Sequence, residues 1–238
     1  MLNKYTITQY QLFALLTQLN SSLEYRLDYN PAKNKIQMID KSDQLTANIR
    51  LPWIMPSFST LSDLLQKIAE NYIQRLKYMI ILIQAGYSAI CHCGNGQILE
   101  HKLIRKYMVR KKQGKAQITY LHTKGKSRAG SRIRLAQTVQ FFEEINQQVD
   151  SWIVNEKPDR LLISCAPRLW GLLFQSKVKP KFSKKDQRIF KIPMDIKIAD
   201  KKELVKVNTM AQKCVIELTD YLNTDWLDRI IERGNLVK

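Results

Sequence analysis

Apolar residues recur along this chain at two spacings, and the alternation between them marks out its elements. Near the start, Leu12, Leu15, Leu16 and Leu19 fall on one face of a helix predicted over residues 8–23. Three short strand-like stretches follow at 23–29, 35–39 and 45–51, the first two parted by an Asn30-Pro31-Ala32-Lys33-Asn34 turn. Residues 52–56, bounded by prolines, read as a linker. A second helix is predicted from Thr60, which has capping-box-like spacing to Asp63. Leu61, Leu64, Leu65, Ile68, Tyr72 and Leu76 then repeat at helical period.

The middle of the chain changes rhythm. Residues 78–83 are uniformly apolar, as a buried strand requires. Gly86 interrupts, 87–93 reads as a second strand, Gly94-Asn95-Gly96 is a hairpin turn, and 97–110 reads as a third strand. A long helix starts near 129–131, with Leu135, Val139, Phe142, Ile145, Val149 and Trp152 on one face. Residues 161–165 are another buried strand, and Pro167 suits the first turn of the helix after it. A short strand is expected near 188–192. Leu204, Val207, Ala211, Val215 and Leu218 predict the last long helix, and 226–232 a short terminal one. The class is therefore α/β (α+β), a mixed sheet flanked by helices. Residues 1–57 form a small N-terminal α+β appendage, and 58–238 the larger domain. There is no internal repeat.

Composition and charge sharpen this picture. With 238 residues and 45% hydrophobic content the chain can build a core. Its net charge of +18 calls for an anionic partner, nucleic acid or membrane. The membrane is the weaker choice, because no apolar run approaches the ~18 residues of a spanning helix. The N-terminus lacks the apolar core of a signal peptide, and the four cysteines do not resemble a secreted disulfide framework. A reducing cytoplasm is the expected compartment.

The charge is concentrated. Residues 101–134 hold 12 Lys and Arg and no Asp or Glu. Gly114, Gly125 and Gly130, three of the chain's eight glycines, predict a loop here, over 110–130. At its centre Gln113-Gly114-Lys115-Ala116-Gln117 places neutral amides among cations, an arrangement suited to delivering an amide to a phosphate-rich target. The Gln117 amide cannot titrate, but it can orient water or hydrogen-bond an oxyanion. Arg132 and Arg134 are expected in the first turn of the following helix, where cations oppose the helix dipole. A phosphate docked on Ser131, the free amides and both arginines would reconcile that placement.

Other signals have plainer readings. Cys91-His92-Cys93 invites zinc, but on a strand the two thiols face one side and His92 the other, and no second cysteine pair completes a site. A core thiol pair is expected, with no metal and no cofactor. His92, His101 and His122 have no nucleophile arranged beside them. Lys177, Lys179, Lys181, Lys184 and Lys185 make a second basic patch, either a solvated loop or an RNA contact. Tyr107 and Tyr120 flank the loop, where a base could stack on them; core packing is an equal alternative for Tyr107.

The loop also carries a resemblance. Residues 107–117, YMVRKKQGKAQ, and 127–134, SRAGSRIR, resemble the release-factor-like domain of the ankyrin-repeat and zinc-finger tRNA endonucleases of ribosome quality control. That domain is similar to the middle domain of eukaryotic and archaeal peptide-chain release factors, with its Gly-Gly-Gln loop. Glu100-His101-Lys102, Ala166-Pro167-Arg168 and Ile192-Pro193 also fit, so the resemblance covers about 77–218. It departs from the pattern at Lys115, where the second glycine belongs, and at Leu135 and Ala136, where an arginine and a tyrosine belong. Zinc finger, ankyrin repeats and coiled coil are absent.

The resemblance implies a release-factor middle-domain-like fold and action on the tRNA acceptor end in the large ribosomal subunit. Gln117, Arg110 and Arg134 would be catalytic. Lys111, Lys112, Gly114, Lys115, Lys126, Arg128, Ser131 and Arg132 would bind RNA phosphates. Either Gln117 positions water against the peptidyl ester, or a ribose 2′-hydroxyl attacks the neighbouring phosphate, the arginines stabilising the added charge. Neither chemistry requires a metal. Lys115, Leu135 and Ala136 leave a second alternative open, a non-catalytic ribosome- or tRNA-binding protein.

Overall fold

The computed structural model describes residues 4–70, 75–108 and 129–219 of the chain. It is a mixed α+β protein of two compact units, one built from 1–76 together with 208–238, the other from 77–207. The expected division at 57/58 is thus displaced, and the first unit is discontinuous in sequence.

The first unit is a five-stranded antiparallel sheet in the order β1 (Lys4–Ile7), β10 (Cys214–Leu218), β4 (Leu45–Arg50), β3 (Lys35–Asp40) and β2 (Tyr25–Asn30). Helix α1 (Gln9–Ser21) starts at a Thr8–Gln11 capping box and buries Leu12, Leu15, Leu16 and Leu19. Helix α2 (Leu61–Ala69) starts at the expected Thr60–Asp63 box and buries Leu64 and Ile68. The 52–56 stretch is no linker. Ile54 and Met55 are buried, and the Ile54 N–H donates to the Ala211 carbonyl at 3.3 Å, so this stretch packs within the unit. The helix expected through Leu218 ends at Ala211 as α5 (Lys201–Ala211), and the chain continues as β10 between β1 and β4. The Val215 and Leu218 spacing fits a helix locally, but strand partners from distant sequence prevail.

Glu217 on β10 joins the strands electrostatically. Its carboxylate meets Lys4 Nζ at 2.9 Å and Arg50 Nη2 at 2.8 Å. The Lys4 hydrogen bond and then the Arg50 charge outweigh burial and hold this carboxyl below its ordinary 4.5. A depressed folded-state pKa contributes stability that is complete above the unfolded value and lost as pH falls through the folded one. Glu217→Gln should therefore lower Tm at neutral pH, and the gap to wild type should close on acidification. A gap that stays constant in acid would remove the ion pairs from the explanation.

The second unit is a mixed sheet in the order β7 (Gln97–Arg105), β6 (Tyr87–Gly94), β5 (Lys77–Gln84), β8 (Arg160–Cys165) and β9 (Ile189–Lys191). The first three strands are antiparallel neighbours, whereas β5, β8 and β9 run parallel. The Asn95-Gly96 turn has φ of 53° and 75°, the two positive values a tight β-hairpin needs. Helix α3 (Ala129–Glu156) covers one sheet face, setting Phe141, Phe142, Ile145, Val149 and Trp152 against Met79, Ile81, Ile90 and Ile163. Leu135 and Val139, expected on that buried face, are 45% and 38% exposed, so only the later turns of α3 pack on the core. Helix α4 (Pro167–Gln175) begins on Pro167 as expected. No helix among the described residues is long and apolar enough to cross a membrane.

Candidate nucleic-acid interface

The basic stretch leaves the sheet at the end of β7, and three consecutive residues fix its departure. The Lys106 N–H donates to the Gly86 carbonyl at 3.0 Å, and Lys106 Nζ pairs with Glu144 of α3 at 2.7 Å. The Tyr107 N–H donates to Gln137 Oε1 of α3 at 2.7 Å. Met108 is buried in the core beside Phe141 and Ile104. The root of the loop is thereby tied to the β5–β6 turn and to one side of α3. The cost of ordering it falls on packed groups rather than on an incoming ligand.

Gly86 is the residue this root depends on. Its φ is +83°, and a Cβ there would stand 2.5 Å from the Lys106 carbonyl oxygen. Gly86→Ala combines left-handed strain with a clash against backbone, which together should cost about 1–3 kcal/mol. A denaturant midpoint equal to wild type would contradict this. In sequence Gly86 reads as a strand breaker; the close approach behind it, and the roles of Gln137 and Glu144, depend on contacts across distant positions and leave no local signal.

On the far side of the loop, α3 begins at Ala129. Arg132 therefore closes the first turn and Arg134 lies in the second, a revision of the first-turn expectation. Two helical positions differ by about 200° in azimuth, so the two arginines do not share a face. Arg134 is half-buried, and its carbonyl accepts the Thr138 hydroxyl at 2.7 Å; Arg132 is exposed. Neither has an ion-pair partner among the described residues. The first turn of α3 contains no acid, so its positive end and these cations add rather than cancel. Ser131 belongs to the helix backbone in that turn. Arg110, Lys111, Lys112, Gly114, Lys115, Gln117, Lys126 and Arg128 lie outside the described residues, as do Tyr120 and His122.

The remaining motifs take definite places. Cys91 and Cys93 are buried on one side of β6 with their sulfurs 3.6 Å apart. Hydrogen bonding to Cys91 and then burial push the Cys93 thiol up, which favours the neutral form. His92 faces the other way, its ring tilted against Trp152 at 5.1 Å between centroids and 3.4 Å from Glu100, which also accepts the Trp152 indole N–H. Among the described residues no group of three or more His, Cys, Asp or Glu could hold a metal. His101 is exposed on β7.

No curated protein matches this chain. Among solved structures, the Vms1 mitochondrial localization core is similar at 14% identity and a TM-score of 0.47, over 91% of this chain and 98% of that one. A family model described as Bacteroidetes VLRF1 release factor matches residues 78–218, from β5 through β10. That span is more than half of the 238 residues and includes the whole cationic stretch, and by it the chain belongs to the Bacteroidetes VLRF1 release factor family.

Proposed function

We propose that this protein is a ribosome-associated, tRNA-acting hydrolase of the cytoplasm. It cleaves the acceptor end of peptidyl-tRNA and so releases stalled nascent chains from the large subunit. The observation that carries this reading is membership of a release factor family across a stretch whose 12 cations and central amide suit a phosphate-rich substrate. In this reading Gln117 is presented by a loop whose root is held by Lys106, Tyr107 and Gly86. Arg110 and Arg134 meet the developing negative charge. Lys111, Lys112, Gly114, Lys115, Lys126, Arg128, Ser131 and Arg132 bind the flanking phosphates. The resemblance to the ankyrin-repeat and zinc-finger tRNA endonucleases favours attack of a ribose 2′-hydroxyl on the adjacent phosphate. The density of cations points the same way, because phosphoryl chemistry gains most from positive charge.

One observation favours a second reading. Leu135 and Ala136, where the resemblance places an arginine and a tyrosine, are both exposed on α3, as ligand-contacting positions would be. Their apolar character fits a binding protein that has lost the chemistry. Incubation of the purified protein with stalled large subunits, followed by sizing of the tRNA, separates these readings. A shortened acceptor end supports endonuclease action, and intact deacylated tRNA supports ester hydrolysis. Binding with neither product establishes the non-catalytic reading.

A further inference from the structure

A second basic segment lies in the same unit, at residues 176–185, SKVKPKFSKK, with five lysines and no acid. The next acid, Asp186, is paired with Arg188 at 2.7 Å. The backbone beneath these lysines is fixed to α3. Asn146 Nδ2 donates to the carbonyls of Leu173 at 2.9 Å and Val178 at 2.7 Å, and Asp150 Oδ1 accepts the Lys181 N–H at 2.7 Å. Phe182 is buried against Trp170 and Phe174. Two lysines serve this packing, Lys179 by donating to the Phe174 carbonyl at 3.0 Å and Lys184 by lying 5.4 Å from the Phe174 ring centroid. Lys177, Lys181 and Lys185 are exposed, and none forms a side-chain ion pair within 4 Å among the described residues, although the Lys181 charge acts on the Asp150 carboxylate that accepts its N–H.

Helix α3 sets the distance from this segment to the loop. Arg132 and Asp150 are about five turns apart, which returns to the same azimuth after roughly 27 Å. Lys181 is therefore held on the face of α3 that carries Arg132 five turns earlier. Glu143 sits on that face between them and is half-buried, so contacts to an anion concentrate at the two ends.

The chemistry selects the partner. Trp170, Phe174 and Phe182 pack on one another at 4.9–6.2 Å between centroids, with Phe182 buried and the other two rings half-buried, so these aromatics serve the core, whereas the exposed groups of the segment are lysines. Lysine reads charge rather than base edges. A rigid separation of this size also calls for a rigid polyanion. We propose that residues 177–185 form a second RNA-binding surface, which grips the phosphates of a base-paired stem whose end is held at Arg132, with α3 as the spacer. At ~3.4 Å per base pair along the helix axis, the spacing corresponds to about eight base pairs. The inference rests on the reading of this chain as acting on a tRNA acceptor end.

The test uses the full chain and a Lys177→Gln/Lys181→Gln/Lys185→Gln variant, with two RNA hairpins that carry the same 3′ overhang. One stem has about twelve base pairs and spans both ends of α3; the other has about four and does not. On the long stem the variant should bind about tenfold more weakly or worse, with a log–log salt slope shallower by about two to three units. On the short stem it should bind as wild type does. Equal affinity of variant and wild type for the long stem overturns the proposal, and so does equal loss on both stems. Preference for anionic lipid vesicles over both hairpins overturns the RNA assignment. If the length dependence holds while wild type releases nothing from stalled subunits, the contact stands and the catalytic reading falls. If release proceeds and the variant binds both stems like wild type, the contact falls and the catalytic reading stands.

Discussion

Gln117→Ala is expected to reduce turnover on stalled large subunits by about 10²–10³, the range for loss of one donor to a developing oxyanion. RNA affinity should barely change, because the amide is neutral. Arg134→Ala should differ. Its side chain emerges from the second turn of α3, beside the face that anchors Tyr107 through Gln137, and has no ion-pair partner among the described residues. The loss of this cation should weaken binding and turnover together. The two variants thus separate a group that acts on the reacting atoms from one that also holds the substrate. Retention of full activity by both would withdraw the site assignment. Retention by Gln117→Ala alone would leave the main-chain amides of the loop as the operative donors.

The second large effect is on salt dependence. A log–log plot of RNA affinity against salt should be steep for wild type. Simultaneous replacement of Lys111, Lys112, Lys126 and Arg128 by Gln should flatten it by about three to four units, because each phosphate left without its cation keeps close to one counterion. Lys106 is a poor choice for this set, since its ammonium is already neutralised by Glu144 at 2.7 Å. Affinity that does not respond to salt would remove RNA as the partner of this stretch.

The elements that could be read directly were those whose signals are local. The Thr60–Asp63 capping box, the Asn95-Gly96 turn, the Pro167 helix start and the buried β5 and β8 strands depend on residues a few positions apart, and all lie where they were expected. The failures share a cause. Cys214–Leu218 looks helical until β1 and β4 are placed on either side of it, and Lys4–Ile7 is too short and polar to announce itself as a strand. Ile54 and Met55 sit between prolines, which suggests a linker, yet they are buried in the first unit. At the candidate site, charge and amide chemistry were legible because they are compositional. The Gly86–Lys106 contact and the opposed azimuths of Arg132 and Arg134 were not, because they depend on where α3 begins and on which backbone passes the β5–β6 turn.

The chain order of the first sheet has a consequence for biosynthesis. β10, an interior strand of that sheet, is translated only after all of the second unit, although its neighbours β1 and β4 lie within the first 50 residues. As the chain emerges from the ribosome, residues 77–207 can complete their own sheet while β1 and β4 still wait for the strand that joins them. A chain released before residue 214 would carry a finished second unit attached to two unpaired edges, the kind of strand edge that recruits other chains. The completeness of the first unit is therefore a record that translation has passed Leu218, and truncated products should be found in the aggregated fraction rather than as a soluble fragment.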